Sequence, residues 1–300
     1  MQRGLYEAPF LCEEHIVKSG LILEGGGMRG MFTAGVLDCF MEEGIVFDYV
    51  IGSSSGVCNA MNFVSGQIGR SKNMMLLPKK ESYAGVKELL LHGSFLNLKK
   101  LFRVLPYQKK TRFDFDTYFT SSIENEFVVS NCLTGKPEYL SENKDEDRLA
   151  TIATASCALP LVGRPVKAEG TMYMDGSMTD PIPVQHTLDK GCDKIILIST
   201  KGKGMDPSDL SKYNWAMRIL YGKKVKPFLA AMKKRLDLYY RQWDMIYDLE
   251  KKGTLFLIHP QGEVAISHLE TDPAKLKEMY DNGYAYGKSL LEDVKKFLAD

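Results

Sequence analysis

Three hundred residues with 44% apolar and 26% charged side chains suffice for one sizeable α/β core, with or without an appendage. A net charge of +1 gives no global argument for a nucleic-acid partner, and no stretch approaches the roughly 18 uninterrupted apolar residues that would span a membrane. The six cysteines (Cys12, Cys39, Cys58, Cys132, Cys157, Cys192) include no CxxC pair, which argues against a zinc site or disulfide framework and for reduced, mostly buried thiols.

In chain order, the opening "MQRGLYEAPFLCEEHIVKSG" carries Glu7, Glu13 and Glu14 and lacks a continuous apolar core, so no secretory signal is expected and a cytoplasmic location is. "GLILE" then predicts a buried strand, and "MFTAGVLDCFMEEG" a helix ending at Gly44. "FDYVIGSSSG" predicts a second strand running into a turn, and "VCNAMNFVSGQ" a second helix. Two strand–glycine turn–helix units in succession predict a parallel sheet covered by helices. Further on, "TMYMDGS" predicts a strand with a sharp exit, "IPVQHTLDKG" a helix and "CDKIILIST" a central strand. Residues 211–250 have a helical pattern, "TLFLIHP" predicts a strand, and a closing helix starts with Asp272 as its cap and Pro273 in its first turn. No internal repeat stands out. The simplest organisation is an α/β domain over residues 18–200 with a C-terminal addition over 201–300 packed on it.

The run "GLILEGGGMRG" raises a choice between a nucleotide site and an oxyanion site. Gly25-x-Gly27-x-x-Gly30 matches the dinucleotide fingerprint in its strand-to-helix setting. That fingerprint also wants an acid about 20 positions on, at the end of the second strand. The candidate, Asp48, precedes the apolar run "YVIG" instead of ending it. No nucleotide or other cofactor is therefore expected.

The second turn is "GSSSG", Gly52 to Gly56, and Gly-x-Ser-x-Gly between strand and helix describes a nucleophile elbow with Ser54 at its tip. If the two strands are parallel neighbours, both turns leave the same sheet edge. The backbone N–H groups of Gly26, Gly27 and Met28 would then face the Ser54 hydroxyl as an oxyanion hole, where any Cβ would obstruct a substrate carbonyl. A serine nucleophile needs a base. The histidines are His15, His92, His186, His259 and His268, and an α/β-hydrolase order leaves His259 or His268 open. The stronger candidate is Asp175 in "MYMDGSMTDPIP", at the end of an apolar strand and followed by Gly176.

"GGGMRG", "GSSSG" and "DGS" stand in the order and spacing of the patatin-like phospholipases, which the chain resembles over roughly residues 18–200. "ATASCALPLVGRPV" (153–166) is similar to the segment preceding the aspartate in that family. "LFLIHPQGEVAISHL" and the following helix resemble the C-terminal addition of its bacterial stand-alone members. The resemblance implies a patatin-like three-layer sandwich and a serine lipid acyl hydrolase of the phospholipase A or lysophospholipase type. It implies Ser54 as nucleophile, Asp175 as base without histidine, an acyl-serine intermediate, and no metal. Gly25, Arg29, Gly30, Gly52, Gly56, Gly176 and Ser177 would support these motifs. Ser177 departs from the usual Gly or Ala, and Glu24 replaces the Asp of plant patatins. An acyltransferase or thioesterase using the same serine, or a non-catalytic lipid-binding module, are the alternatives.

Residues 71–112 hold ten Lys or Arg against two Glu, interleaved with Leu, Phe and Met, and residues 201–241 are similarly basic. These segments, with Lys99, Lys100 and Arg103 foremost, would suit peripheral contact with an anionic membrane surface, and solvated helix faces over an ordinary core are the competing reading. The expected partner is a lipid or fatty-acyl ester, and the sequence carries no reading of oligomeric state.

Overall fold

The computed structural model describes residues 17–92, 94–202, 214–262 and 266–300. The first 16 residues, with Cys12 and His15, and parts of the two segments read above as basic and as C-terminal (203–213 and 263–265), lie outside the described residues.

Eight strands form one sheet in the order β5-β6-β3-β2-β1-β7-β8, with β4 pairing β3 off this path. They are β1 (Ser19–Leu23), β2 (Tyr49–Gly52), β3 (Glu124–Asn131), β4 (Pro137–Leu140), β5 (Val166–Ala168), β6 (Thr171–Asp175), β7 (Lys194–Ile198) and β8 (Leu255–Ile258). The five central strands, β3-β2-β1-β7-β8, are parallel, and β4, β5 and β6 add an antiparallel margin. The continuous apolar runs "LIL", "KIILI" and "LFLI" follow from burial on both faces of a parallel sheet.

Side chains alternate across a strand, so each central strand feeds two cores. Leu21 and Leu23 pack into one cluster with α1 (Gly30–Glu42), α2 (Ser55–Val64) and α11 (Pro273–Ser289). Ile22 between them packs with Ile51, Ile195 and Leu197 against Tyr239, Trp243 and Ile246 of α10 (Lys226–Lys251). The result is the helix–sheet–helix sandwich expected, with β8, α11 and α12 (Leu291–Ala299) as the C-terminal strand–helix addition. Asp272 caps α11 by accepting the Ala274 N–H at 2.9 Å, as its sequence position predicts. No described helix is long and apolar enough to cross a membrane.

β1 lies between β2 and β7, so the chain diverges at its carboxyl end, the place where open α/β sheets bind ligands. Leu23 is level with Gly52 on one side and Ile198 on the other. The glycine loop, the elbow and the turn after β7 therefore leave the sheet side by side. Asp48 is at the opposite edge, where its carboxylate accepts the Ser19 N–H and hydroxyl, each at 2.7 Å. It staples the starts of β1 and β2 and faces away from the glycines.

Candidate active site

Ser54 occupies the turn between β2 and α2 with φ 53° and ψ −124°, a conformation disfavoured for a residue with a side chain. Gly56 permits the turn, because a Cβ there would run into the Leu23 carbonyl. The elbow is clamped by the end of α7 (Glu146–Ser156). The Ser54 N–H donates to Ser156 Oγ at 3.2 Å, and the Ser156 hydroxyl donates to the Val128 carbonyl at 2.6 Å. The Cys157 thiol donates to the Ser54 carbonyl at 3.1 Å, and the Ala158 carbonyl accepts the Asp175 N–H at 3.0 Å. One short segment, "SCA", thus ties the Ser54 turn to the Asp175 turn.

Asp175 ends β6, level with Val129 of β3, and is fully buried. Its Oδ1 accepts the Ser177 N–H at 2.9 Å and the Ser177 hydroxyl at 2.6 Å. Its Oδ2 is buried without a well-formed hydrogen bond, although the Ser54 hydroxyl lies near enough to act on the carboxyl. Burial raises the pKa of Asp175 above the usual carboxylate range, against the lowering effects of Ser177, Ser54 and the Arg235 charge. Gly176 is held against the Val128 carbonyl, and Arg235 donates to the Ser177 carbonyl at 2.6 Å.

The glycine loop is Gly25 to Gly30, with a 3₁₀ turn at Gly27–Arg29. Gly27 has φ +58°, and a Cβ on it would strike the His268 carbonyl. The Gly26 N–H donates to Ser55 Oγ at 2.9 Å, and the Met28 N–H donates to the His268 carbonyl at 3.0 Å. The Gly27 N–H has no partner among the described residues. Beneath the loop, Thr200 donates its hydroxyl to the Gly25 carbonyl, and Glu24 is buried against Lys201 Nζ at 2.6 Å. Burial would raise the pKa of Glu24, but the Lys201 ammonium and the donors of Ser199 and Thr200 hold it below its usual value.

Above the loop is a residue that sequence reading did not assign to it. His268 Nδ1 is 3.1 Å from the Gly26 carbonyl, so Nδ1 carries the proton, and Nε2 faces Arg29 at 3.4 Å. Burial and the Arg29 charge lower its pKa, keeping the imidazole neutral. Arg29 also donates to the Ile266 carbonyl at 2.9 Å, which makes it an anchor between the loop and the C-terminal segment. His186 pairs with Glu126 at 2.6 Å and stacks on Tyr139, and His259 faces the Pro260 carbonyl. Among the described residues no histidine bonds to Ser54 or Asp175, and no His/Cys/Asp/Glu group could hold a metal ion.

Ser54, Gly27, Met28 and His268 line a narrow cavity of about 50 Å³ with Leu96, Leu98 and Cys157. Cys58, Met75, Tyr83 and Leu101 line both this cavity and a smaller apolar one further inside, walled by Met61, Met74 and Phe102. The lining is almost wholly apolar, as a fatty chain would require.

The family model for patatin-like phospholipases matches residues 21–188, and one described as Domain of unknown function (DUF6363) matches residues 225–299. The chain is 26% identical over 295 residues to the uncharacterized protein YjjU of Escherichia coli K12, covering 93% of this chain and 79% of that protein. It is 25% identical over 295 residues to the lysophospholipase nte1 of Aspergillus niger, covering 92% of this chain but only 18% of that much longer protein. Among solved structures, VipD from Legionella pneumophila shares the fold with a TM-score of 0.50 at 15% identity, over 92% of this chain and 67% of that one. With its sheet, its elbow at Ser54 and a family match over more than half its length, the chain belongs to the patatin-like phospholipases and is a carboxylic ester hydrolase.

Proposed function

We propose that the chain hydrolyses a fatty-acyl ester of a phospholipid or lysophospholipid with Ser54 as nucleophile and Asp175 as its base. The observation that supports this reading is the uncommitted Oδ2 of a buried carboxylate beside the Ser54 hydroxyl. Asp175 takes the hydroxyl proton as Ser54 Oγ bonds to the ester carbonyl carbon. The carbonyl oxygen becomes an oxyanion in the glycine loop, where the Gly27 N–H is the donor without a competing acceptor. Gly26 and Met28 complete the hole when their present acceptors, Ser55 Oγ and the His268 carbonyl, give way. Collapse expels the alcohol, which leaves with the proton held by Asp175, and yields acyl-Ser54. Water, deprotonated by Asp175, then releases the fatty acid and restores the hydroxyl. Burial helps here, because a raised pKa makes the carboxylate a stronger base.

The cavity beside Ser54 is too narrow for an acyl chain as it stands. Met61, Met74 and Met75 supply unbranched, rotatable walls that open as the chain enters. Access to lipid comes from peripheral contact with an anionic membrane surface. The exposed Leu90 and Leu91 of α4 (Val86–His92) and Trp215, Ile219 and Leu220 of α9 (Asn214–Tyr221) supply the apolar part of that contact.

The test is labelling with a fluorophosphonate ester and peptide mapping. A single adduct on Ser54, lost in Ser54→Ala and Asp175→Asn, supports the assignment. Labelling of the native protein elsewhere, or not at all, removes it.

A further inference from the structure

A groove of about 860 Å³ runs beside the Ser54 cavity, and Leu96 and Leu98 line both. Its rim carries Lys99, Arg164 and Lys167, and no acidic residue lines it among the described residues. None of these three cations has an ion-pair partner among the described residues. This separates Lys99 from its neighbours on α5 (Leu98–Arg103), where Lys100 pairs with Glu88 and bonds to the Ser82 carbonyl. Arg103 likewise is held by Asp147 and Thr151. Of the three cations expected from the sequence to meet lipid, only Lys99 is left for a ligand. The groove's walls are fixed: Tyr221 donates to the Gly163 carbonyl at 2.8 Å, and the Ser94 hydroxyl bonds to the Val162 carbonyl. Leu161 and Leu220 extend it as an apolar margin.

We propose that this groove is an anion subsite for the phosphate of a lipid head group, so that the enzyme prefers anionic single-chain phospholipids to uncharged esters of equal chain length. The proposal rests on ester hydrolysis at Ser54. The acyl chain takes the apolar cavity, the ester lies at Ser54, and the head group crosses the Leu96–Leu98 ridge into a pocket of three uncompensated positive charges. Guanidinium and ammonium groups in a groove that no described carboxylate lines match a phosphate, which accepts hydrogen bonds from both and carries the complementary charge. A choline head group would bring a cation of its own into the same groove, so lysophosphatidylcholine should be a poorer substrate than lysophosphatidylglycerol.

The experiment compares kcat/KM for monomeric lysophosphatidylglycerol and for the monoacylglycerol of the same chain, both below micelle formation. The native ratio should favour the anionic lipid and fall as salt is raised. Joint K99E, R164E and K167E substitution should lower the ratio at least about tenfold, mainly through KM, and Arg164→Gln alone should give part of that loss. A ratio unmoved by either variant, in protein that still hydrolyses the neutral ester and takes the Ser54 adduct, overturns the subsite and leaves the hydrolase intact. Competition by inorganic phosphate with no preference between the two lipids would assign the groove to free phosphate and overturn it as well. Absence of hydrolysis and of the adduct in the native protein would instead remove the underlying reading.

Discussion

Ser177→Ala should move the acid limb of the pH–rate profile upward. In the native site the Ser177 hydroxyl and N–H both donate to Asp175 Oδ1, at 2.6 and 2.9 Å, inside a fully buried pocket. These bonds favour the ionised carboxyl and partly offset the burial that raises its pKa. Alanine keeps the N–H, removes the hydroxyl and leaves almost no cavity. A hydrogen bond to a buried charge is worth about 1.5–3 kcal/mol, and one pKa unit corresponds to about 1.4 kcal/mol, so the pKa should rise by roughly one to two units. The sign follows from which form is lost: the carboxylate is the active base, so weaker support for it means that activity disappears at a higher pH. Above the new limb the rate should stay within about threefold of native, because the base is stronger when ionised. The assay is kcat/KM against pH on a soluble short-chain ester. An acid limb that stays in place, or moves down, would refute Asp175 as the titrating base.

Gly26→Val and Gly27→Val should each cost about a hundred- to a thousandfold in kcat, since the new side chains meet Thr200 Oγ1 beneath the loop and the His268 carbonyl above it and displace the loop N–H groups, with circular dichroism separating this from unfolding. Glu24→Gln leaves Lys201 buried without its counter-charge and should cost about 3–5 kcal/mol, a fall in Tm of roughly 6–15 °C by calorimetry. Because the pKa of Glu24 lies below its ordinary value of 4.5, its stabilisation is complete above that pH and is lost as pH falls through the folded value. His268→Ala should lower kcat roughly three- to tenfold without moving the acid limb, while His186→Ala should retain near-native activity; loss of all activity in either would replace the Ser–Asp reading with a histidine base. Joint Trp215→Ser and Leu220→Ser substitution should reduce sedimentation with anionic vesicles, and unchanged binding would remove α9 from the membrane contact.

What was legible in the sequence was local. β1 with its glycine loop, β2 with its elbow, and the exit of β6 each announce themselves within about ten residues, because strand, turn and helix there follow one another without interruption. The Asp272 cap was legible for the same reason. The closing helix reads as one unit but divides at Leu290 into α11 and α12, where the Leu290 N–H turns back to the Gly287 carbonyl. The parts Ser156 and His268 play in holding the elbow and the glycine loop were not legible, because their partners, Ser54 and Gly26, lie 102 and 242 residues away. A serine near the end of a helix, or a histidine beyond a strand, carries no local trace of what sheet register brings beside it. Within the basic run over residues 71–112, composition cannot separate Lys100 and Arg103, which are internally paired, from Lys99, which has no ion-pair partner among the described residues.

The glycine loop also shows why the C-terminal addition belongs in any account of the chemistry. On the proposed mechanism the loop presents N–H groups to a transient charge, and glycines left to their own freedom would blur that geometry. Here it is held from below by Thr200 on the Gly25 carbonyl and by Glu24, which is bound to Lys201 and to the hydroxyl of Tyr239 on α10. From above it is held by the His268 imidazole and carbonyl and by Arg29 reaching Ile266. On its far side, α1 is fastened to α11 by Tyr280, whose hydroxyl donates to Asp38 at 2.7 Å. Ser55 and Asn59 bind the loop from within the patatin-like match, whereas Thr200, Lys201, Tyr239, Ile266, His268 and Tyr280 all lie beyond residue 188, where that match ends. On the proposed mechanism the motif supplies the reacting groups, and residues after it add stiffness to the loop that would meet the substrate carbonyl.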